Sequence, residues 1–205
     1  TGTLIGQRYR LEQQVGQGGM GSVWVAEDEK LQRWVAVKLL GSHCAKSKSA
    51  GERFEREAMA LARLRSPHVV QVYDYGQSLI GAYMVMELLN GQDLYAWIRM
   101  NRPAPLEQVT EIIVQAARGL SAIHRAGIVH RDLKPSNLFV VRDHEEQIIK
   151  VFDFGLAKGL ADLGPLRDQT GEGVLLGTPR YMSPEQAQGA KKVDHRSDLW
   201  SLAVI

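Results

Sequence analysis

Apolar residues in the first ninety positions fall in short runs rich in β-branched side chains, separated by turn residues. That is the pattern of strands in a sheet. Tyr9-Arg10-Leu11 leads into a glycine-rich turn, Ser22–Ala26 leads out of it, and Trp34–Leu40 makes a third run. A polar connector follows over Gly41–Ala50. Phe54, Ala58, Leu61 and Ala62 then fall at i, i+4, i+7 and i+8, which predicts a helix with one apolar face, stopped by Pro67. Val69–Tyr75 and Ala82–Leu88 predict two more strands around a Gly76–Gly81 turn. Asn90-Gly91 breaks the pattern and is the expected boundary between a β-rich part, 1–89, and a mostly helical part, 90–205. Beyond it Val109, Ile112, Ile113, Ala116, Leu120 and Ile123 form an apolar stripe ending near Gly127. Short strands at Leu138–Val141 and Ile148–Phe152 and a long loop over Gly159–Gly177 complete the reading.

Composition narrows the function little. Lys+Arg 25 against Asp+Glu 23 leaves +2, which gives no argument for nucleic-acid or membrane-surface binding. Cys44 is the single cysteine, so an intramolecular disulfide is excluded and a reducing interior is expected. No apolar run approaches the ~20 residues of a membrane span, and no signal-peptide pattern opens the chain. A cytoplasmic segment is the expectation. The chain starts at Thr1 without a methionine and reads as an excerpt, so an anchor outside it stays compatible with this.

Four motifs carry the chemistry. Gly16-Gln17-Gly18-Gly19-Met20-Gly21 lets backbone amides approach phosphate oxygens. A dinucleotide-binding turn has the same glycine spacing, but a helix follows there; here Ser22-Val23-Trp24-Val25-Ala26 reads as a strand. Lys38 ends the apolar run Val35-Ala36-Val37, where a lysine can simply snorkel to water. In His130-Arg131-Asp132-Leu133-Lys134-Pro135-Ser136-Asn137, one carboxylate can accept a hydroxyl proton. One amide can ligate a metal, and one ammonium can steady a transferring phosphoryl group. Asp153-Phe154-Gly155 follows an apolar run, as a turn or a metal ligand would.

In this order the motifs resemble those of the protein kinases, and most closely the bacterial serine/threonine kinases of the eukaryotic type. The likeness runs from about Tyr9 to Ile205. It implies an α+β fold of two lobes: an ATP-binding lobe over 1–89 and a mostly helical lobe over 90–205, incomplete at its C-terminus. It implies transfer of the γ-phosphoryl of ATP to serine or threonine hydroxyls of proteins, with Mg²⁺, or Mn²⁺ in its place. Asp132, Lys134, Lys38 and Glu57 would be catalytic, with Glu57 paired to Lys38; periodicity alone does not choose between Glu55 and Glu57. Asn137 and Asp153 would hold the metal. ATP would lie against Val15, Gly16, Gly18, Gly21, Val23, Ala36, Lys38, Met86, Glu87, Leu89, Asp93 and Phe139. Met86 would sit behind adenine, and Asp93 would take a ribose hydroxyl.

Gly177-Thr178-Pro179-Arg180-Tyr181-Met182-Ser183-Pro184-Glu185 resembles the stretch that docks the peptide, with Ser183 where the family usually has alanine. Asp198 matches an aspartate that props the catalytic loop. Arg131, Lys158, Thr170 and Thr178 would form the activation-loop apparatus, with Thr170 phosphorylated; dimerisation for trans-autophosphorylation fits that scheme. The resemblance further implies that Glu185 lacks its arginine partner and that Leu199, Trp200, Leu202, Val204 and Ile205 face water. On that reading the 205-residue piece alone is inactive and its parent active. The rival readings are a silent pseudokinase and a small-molecule kinase of the same fold.

Overall fold

The computed structural model describes residues 2–18, 21–40, 48–143, 146–154, 179–189 and 193–205, without the side chains of 48–53, 57, 143 and 146. It divides into two compact units. One comprises Thr1–Arg65 with Val70–Leu89, the other Ser66–Val69 with Asn90–Ile205.

In the first unit, alternating side chains sort to two faces of one sheet. Its strands are β1 (Leu4–Ile5), β2 (Tyr9–Gly18), β3 (Gly21–Asp28), β4 (Arg33–Leu40), β5 (Val72–Ser78) and β6 (Gly81–Glu87). They run antiparallel in the order β1-β2-β3-β4-β6-β5. Ile5, Tyr9, Leu11, Ala26, Val35, Val37, Leu39, Tyr83 and Val85 make the core, with Trp24 packed against it. Helix α1 (Lys48–Arg63) buries Phe54, Ala58 and Leu61, the apolar face expected from their spacing.

The turn between β3 and β4 is set by Asp28. Its Oδ1 accepts from the backbone N–H of Lys30 and of Leu31, an Asx-type turn. A buried carboxylate needs a counter-charge, and the Arg8 guanidinium grips it with two bonds of 2.7 Å. Those bonds hold the Asp28 carboxyl below its ordinary value and raise Arg8.

Two expectations for this unit are corrected. Helix α1 begins at Lys48, inside the expected connector, and ends at Arg63, before Pro67. The Gly76–Gly81 turn narrows to Leu79-Ile80, because Gly76 pairs with Tyr83 and Ser78 with Gly81. Gly76 is a strand residue that leaves room for a ring: a Cβ there would lie 2.8 Å from the Tyr83 hydroxyl oxygen.

The second unit has a three-stranded sheet in the order β7-β8-β9, formed by β7 (Gly91–Asp93), β8 (Leu138–Asp143) and β9 (Glu146–Val151). Its helices are α2 (Leu94–Met100), α3 (Leu106–Arg125), the single turn α4 (Pro184–Ala187) and α5 (His195–Val204). Gly91 starts a strand at once instead of only breaking the pattern. Its φ is +145°, and a Cβ would collide with the Val140 carbonyl oxygen. Helix α2, which the apolar pattern had not resolved, is capped by Asp93, whose Oδ1 accepts from Ala96 N at 2.8 Å.

Helix α3 buries Ile112, Ala116, Leu120 and Ile123. Val109 is exposed and Ile113 half-buried, so the stripe is narrower than the sequence suggests. The buried Gln115 ties α3 to the outer edge of β9: its Oε1 accepts from Ile149 N and its Nε2 donates to Gln147 O. The segment 66–69 covers the far end of that edge. His68 O accepts from Val151 N at 2.9 Å, and Val69 forms a parallel bridge with Val151. Edge-strand backbone groups are thereby satisfied.

Helix α5 starts at an Asp194 cap. Leu199, Trp200 and Val204 are exposed, as expected, and Ile205 is half-buried. Leu202 is the exception. It lies four residues after Asp198, on the same face, and is buried with Ser197, Asp198 and Ser201. The Glu185 carboxylate accepts from the Ser197 hydroxyl, which holds its carboxyl below the ordinary value. Among the described residues, no helix is long and apolar enough to cross a membrane.

Gly119 tests how segment 66–69 is held. Helix propensity alone predicts that Gly119→Ala gains about 1 kcal/mol. A Cβ there would collide with the His68 carbonyl oxygen and lie 2.8 Å from Val151 Cγ2. The expected result is instead a loss of about 1–3 kcal/mol, read from urea unfolding of wild type and variant.

Candidate active site

In the first unit, strand register decides where the expected nucleotide residues lie. Val25 pairs with Ala36 and Val23 with Lys38. Ala36 pairs with Met86 and Lys38 with Met84. Paired residues share a face, and the side-chain period of two carries that face along each strand. Val23, Ala36, Lys38 and Met86 therefore stand on one face, opposite the face that carries Val35, Val37 and Val85 into the core. A one-residue slip of β4 would send Lys38 into the core.

The glycines Gly16, Gly18 and Gly21 lie at the tip of the β2–β3 hairpin, where Gly16 pairs with Val23 and Gly18 with Gly21. A strand follows the glycines, so the dinucleotide-binding reading fails. Val15 is exposed beside them. Glu87 ends β6, and its carboxylate accepts from Gln71 N at 2.7 Å. Leu89 follows, half-buried.

In the second unit, the loop after α3 brings three expected residues together. Lys134 Nζ donates to Asp132 Oδ2 at 3.2 Å. Asn137 Nδ2 donates to the Asp132 carbonyl at 2.7 Å and reaches Asp132 Oδ2 at 3.4 Å. This amide nitrogen is committed to Asp132, so Oδ1 is the Asn137 side-chain atom with the chemistry to hold a cation. Phe152 N donates to Asn137 O at 3.1 Å, which places Asp153 one residue beyond that contact. Asp153 is exposed and Phe154 buried. Amide and carboxylate oxygens are the hard donors that a small divalent cation takes. Asp93 and Phe139 pair across β7 and β8; one oxygen of Asp93 is already used as the α2 cap.

Two non-glycine residues of this region adopt left-handed backbone conformations: Arg131 at φ 63° and Asp153 at φ 54°. Such residues cost about 1–3 kcal/mol each and persist where surroundings over-determine them. For Arg131 the surroundings are explicit. Asp198, 1% exposed, accepts from His130 N and Arg131 N, one carboxylate oxygen each, both at 2.8 Å. His124 Nε2 adds a third bond to it at 2.7 Å.

His130 is fully buried. Burial pushes its imidazole below the ordinary value, which keeps the ring neutral at pH 7. Its Nδ1 accepts from Asp132 N at 3.3 Å, and its Nε2 donates to Phe152 O at 3.1 Å. The ring also packs against Phe154 at 5.3 Å. His130 thus fastens the loop after α3 to the 152–154 segment.

Other expected site residues fall outside the described set: the Glu57 side chain, Gly155, Lys158, Thr170 and Thr178. Sequence reasoning passed over two residues that touch the loop. His124 carries no signal beyond a polar place in the last turn of α3. Gln186 had one, since Ser183-x-x-Gln186 is a capping-box pattern and the box is formed.

Residues 9–205 match the sequence family described as "Protein kinase domain". The chain is 42% identical over its whole length to the serine/threonine-protein kinase pkn3 of Myxococcus xanthus and covers 38% of that protein. It is 38% identical to PknA of Mycobacterium tuberculosis, covering all of this chain and 47% of PknA. The crystal structure of the Mycobacterium tuberculosis PknI kinase domain superposes with a TM-score of 0.75 at 29% identity, over 98% of this chain and 73% of that one. The fold is therefore the protein-kinase fold, with a β-sheet unit first and the helical elements mainly in the second. The chain belongs to the protein kinase domain family, whose members use ATP and a divalent cation. It spans less than half the length of these curated relatives.

The Asp198 carboxylate is the support to test. Asp198→Ala leaves two buried backbone N–H groups unpaired and should cost about 2–4 kcal/mol of stability. In conditions that keep the variant folded, the loop relaxes and the His130 and Arg131 amides should exchange at least about tenfold faster. Thermal melts and hydrogen exchange on the same preparations check both outcomes.

Proposed function

We propose that this chain is the catalytic domain of an ATP-dependent serine/threonine protein kinase. Residues 1–89 form the nucleotide-binding lobe and residues 90–205 the part that carries the acceptor machinery. The observation that carries this reading is the Asp132–Lys134–Asn137 cluster on a loop held by Asp198. The names of the relatives, all serine/threonine kinases, support the acceptor class.

Phosphoryl transfer asks mainly for position and charge. Asp132 orients the acceptor hydroxyl and takes its proton at the carboxylate. Lys134, bonded to Asp132, steadies the charge that develops on the transferring group. Lys38 and the amides of the glycine hairpin hold the phosphates, and Glu57 steadies Lys38. Val23 and Ala36 lie against the base, with Met86 behind it. Glu87 and Leu89 belong to the hinge, and Asp93 offers its remaining oxygen to the ribose. Asn137 Oδ1 and Asp153 would hold Mg²⁺, or Mn²⁺ in its place. When bound, the cation neutralises phosphate charge.

Arg131 adds a regulatory element. Its Nε is buried and has no hydrogen-bond partner among the described residues, which is costly unless an anion joins it. Phosphate on Thr170 would bring about −1.5 to −2 charges and strong acceptors, with Lys158 as a second cation. Between Asp153 and Thr178, Thr170 is the only hydroxyl side chain.

Two predictions follow from these roles. Asp132→Asn should lower phosphotransfer by about 10²–10⁴-fold and leave ATP affinity within a few-fold, since Asp132 touches the acceptor and not the nucleotide. Lys38→Met should also inactivate, through misplaced phosphates. Rates with serine and threonine peptides, against tyrosine peptides and small-molecule alcohols, test the acceptor class at the same time. Wild-type turnover in Asp132→Asn, made in the parent protein, would refute the assignment; a parent protein that binds ATP but transfers nothing would mark a pseudokinase.

Thr170→Ala should reduce activity at least about tenfold, and mass spectrometry of active protein should find phosphate on Thr170. Full activity of the variant, or an unmodified loop in the active enzyme, would remove this role.

A further inference from the structure

Every backbone polar group from Arg131 N to Asp132 O is held by a side chain. Arg131 N donates to Asp198 Oδ1 at 2.8 Å. Asp132 N donates to His130 Nδ1, and Asp132 O accepts from Asn137 Nδ2. The remaining group is the Arg131 carbonyl, which belongs to the peptide plane leading directly into Asp132. It accepts from Gln186 Nε2 at 2.8 Å.

Gln186 stands on α4, immediately after the segment 179–185 that resembles the peptide-docking stretch. The other end of its amide, Oε1, accepts from Ser183 N at 3.1 Å, and Ser183 Oγ accepts in turn from Gln186 N. One side chain therefore spans the helix cap and the catalytic loop. Its carbonyl end closes the capping box, and its amino end reaches a residue 55 positions earlier in the chain.

A left-handed Arg131 is a strained arrangement. Asp198 fixes the backbone on one side of it, and the next peptide plane is held at its N–H end by the 3.3 Å bond to His130 Nδ1. The shorter bond to the Arg131 carbonyl holds the opposite end of that plane, so the two together fix its rotation about the Arg131 Cα–C bond. Gln186 is the only side chain among the described residues recorded as supplying that bond.

We propose that Gln186 is a positioning residue for phosphotransfer. It locks the Arg131–Asp132 peptide plane and so sets the direction of the Asp132 carboxylate, coupling the docking segment to the acceptor-orienting group. This rests on the kinase reading above.

The two ends of the amide can be tested separately. Gln186→Glu keeps the acceptor for Ser183 N, since glutamate serves equally at that place in a capping box, but it has no N–H to give to Arg131 O. Gln186→Lys keeps a donor and loses the acceptor. The measurements are melting temperature, hydrogen exchange of the Arg131 and Asp132 amides without nucleotide, and steady-state kinetics with ATP and a serine peptide. Gln186→Glu is expected to melt as wild type does, to exchange these amides about tenfold faster, and to lose at least about tenfold in kcat with KM for ATP unchanged. Gln186→Lys is expected to melt lower, since a cation at a helix N-terminus is unfavourable, yet to keep kcat within about threefold of wild type.

Unchanged exchange and kcat in Gln186→Glu would overturn the proposal. So would a kcat that simply follows melting temperature across both variants. A wild-type parent protein that transfers no phosphate would overturn the kinase reading instead, and the exchange measurement would still decide whether Gln186 locks the plane.

Discussion

The buried carboxylate of Asp198 is the constraint around which the second unit is organised. A charge removed from water is tolerated only if it is hydrogen-bonded on all sides. Here the donors are two successive backbone N–H groups and one imidazole. The left-handed φ of Arg131 lies after both N–H groups, so it turns the chain away from Asp198 and sets its course into Asp132. Asp198 fixes the backbone before that turn, and His130 and Gln186 hold the peptide plane after it.

The same logic explains why His130 is neutral. A protonated ring would present an N–H at Nδ1, and Asp132 N would lose its acceptor. Desolvation keeps the proton off, and the single remaining N–H goes to Phe152 O. A buried, neutral histidine can therefore do what a backbone carbonyl would do elsewhere in a loop. It also ties two chain segments that both carry candidate phosphate chemistry.

Much of this was legible in the sequence, for identifiable reasons. Strands and helices that bury one face leave a period, so β4, α1 and the buried positions of α3 could be read from Val35, Val37, Phe54, Ala58, Ile112, Ala116 and Leu120. The candidate catalytic residues were legible because carboxylate, amide and ammonium sit within six positions of one loop. Gln115 and Gln186 were not legible in their full roles. Each joins a side chain to a backbone group at a place that only the fold brings near, and such bonds leave no periodicity. Gly76 and Gly91 misled for a related reason. Glycine in a sequence suggests a turn, whereas here it marks a strand pressed against a ring or a carbonyl.

The first unit depends on register more than on any single bond. Lys38 reaches the face it shares with Val23 and Met84 because β4 pairs with both neighbours without a bulge. The irregularities lie elsewhere, in β2 between Leu11 and Gly16 and in β5 between Val72 and Asp74. Bulges bend a strand and re-aim its side chains. Their confinement to β2 and β5 leaves the central strands β3, β4 and β6 regular. The strands that hold Val23, Ala36, Lys38 and Met86 are the ones whose alternation is unbroken, and the glycine hairpin hangs from one of them. Rigid register under the lysine and a locked peptide plane before the aspartate are two solutions to one requirement. A reaction that runs on position must fix the backbone beneath each charged group before the side chains can be aimed.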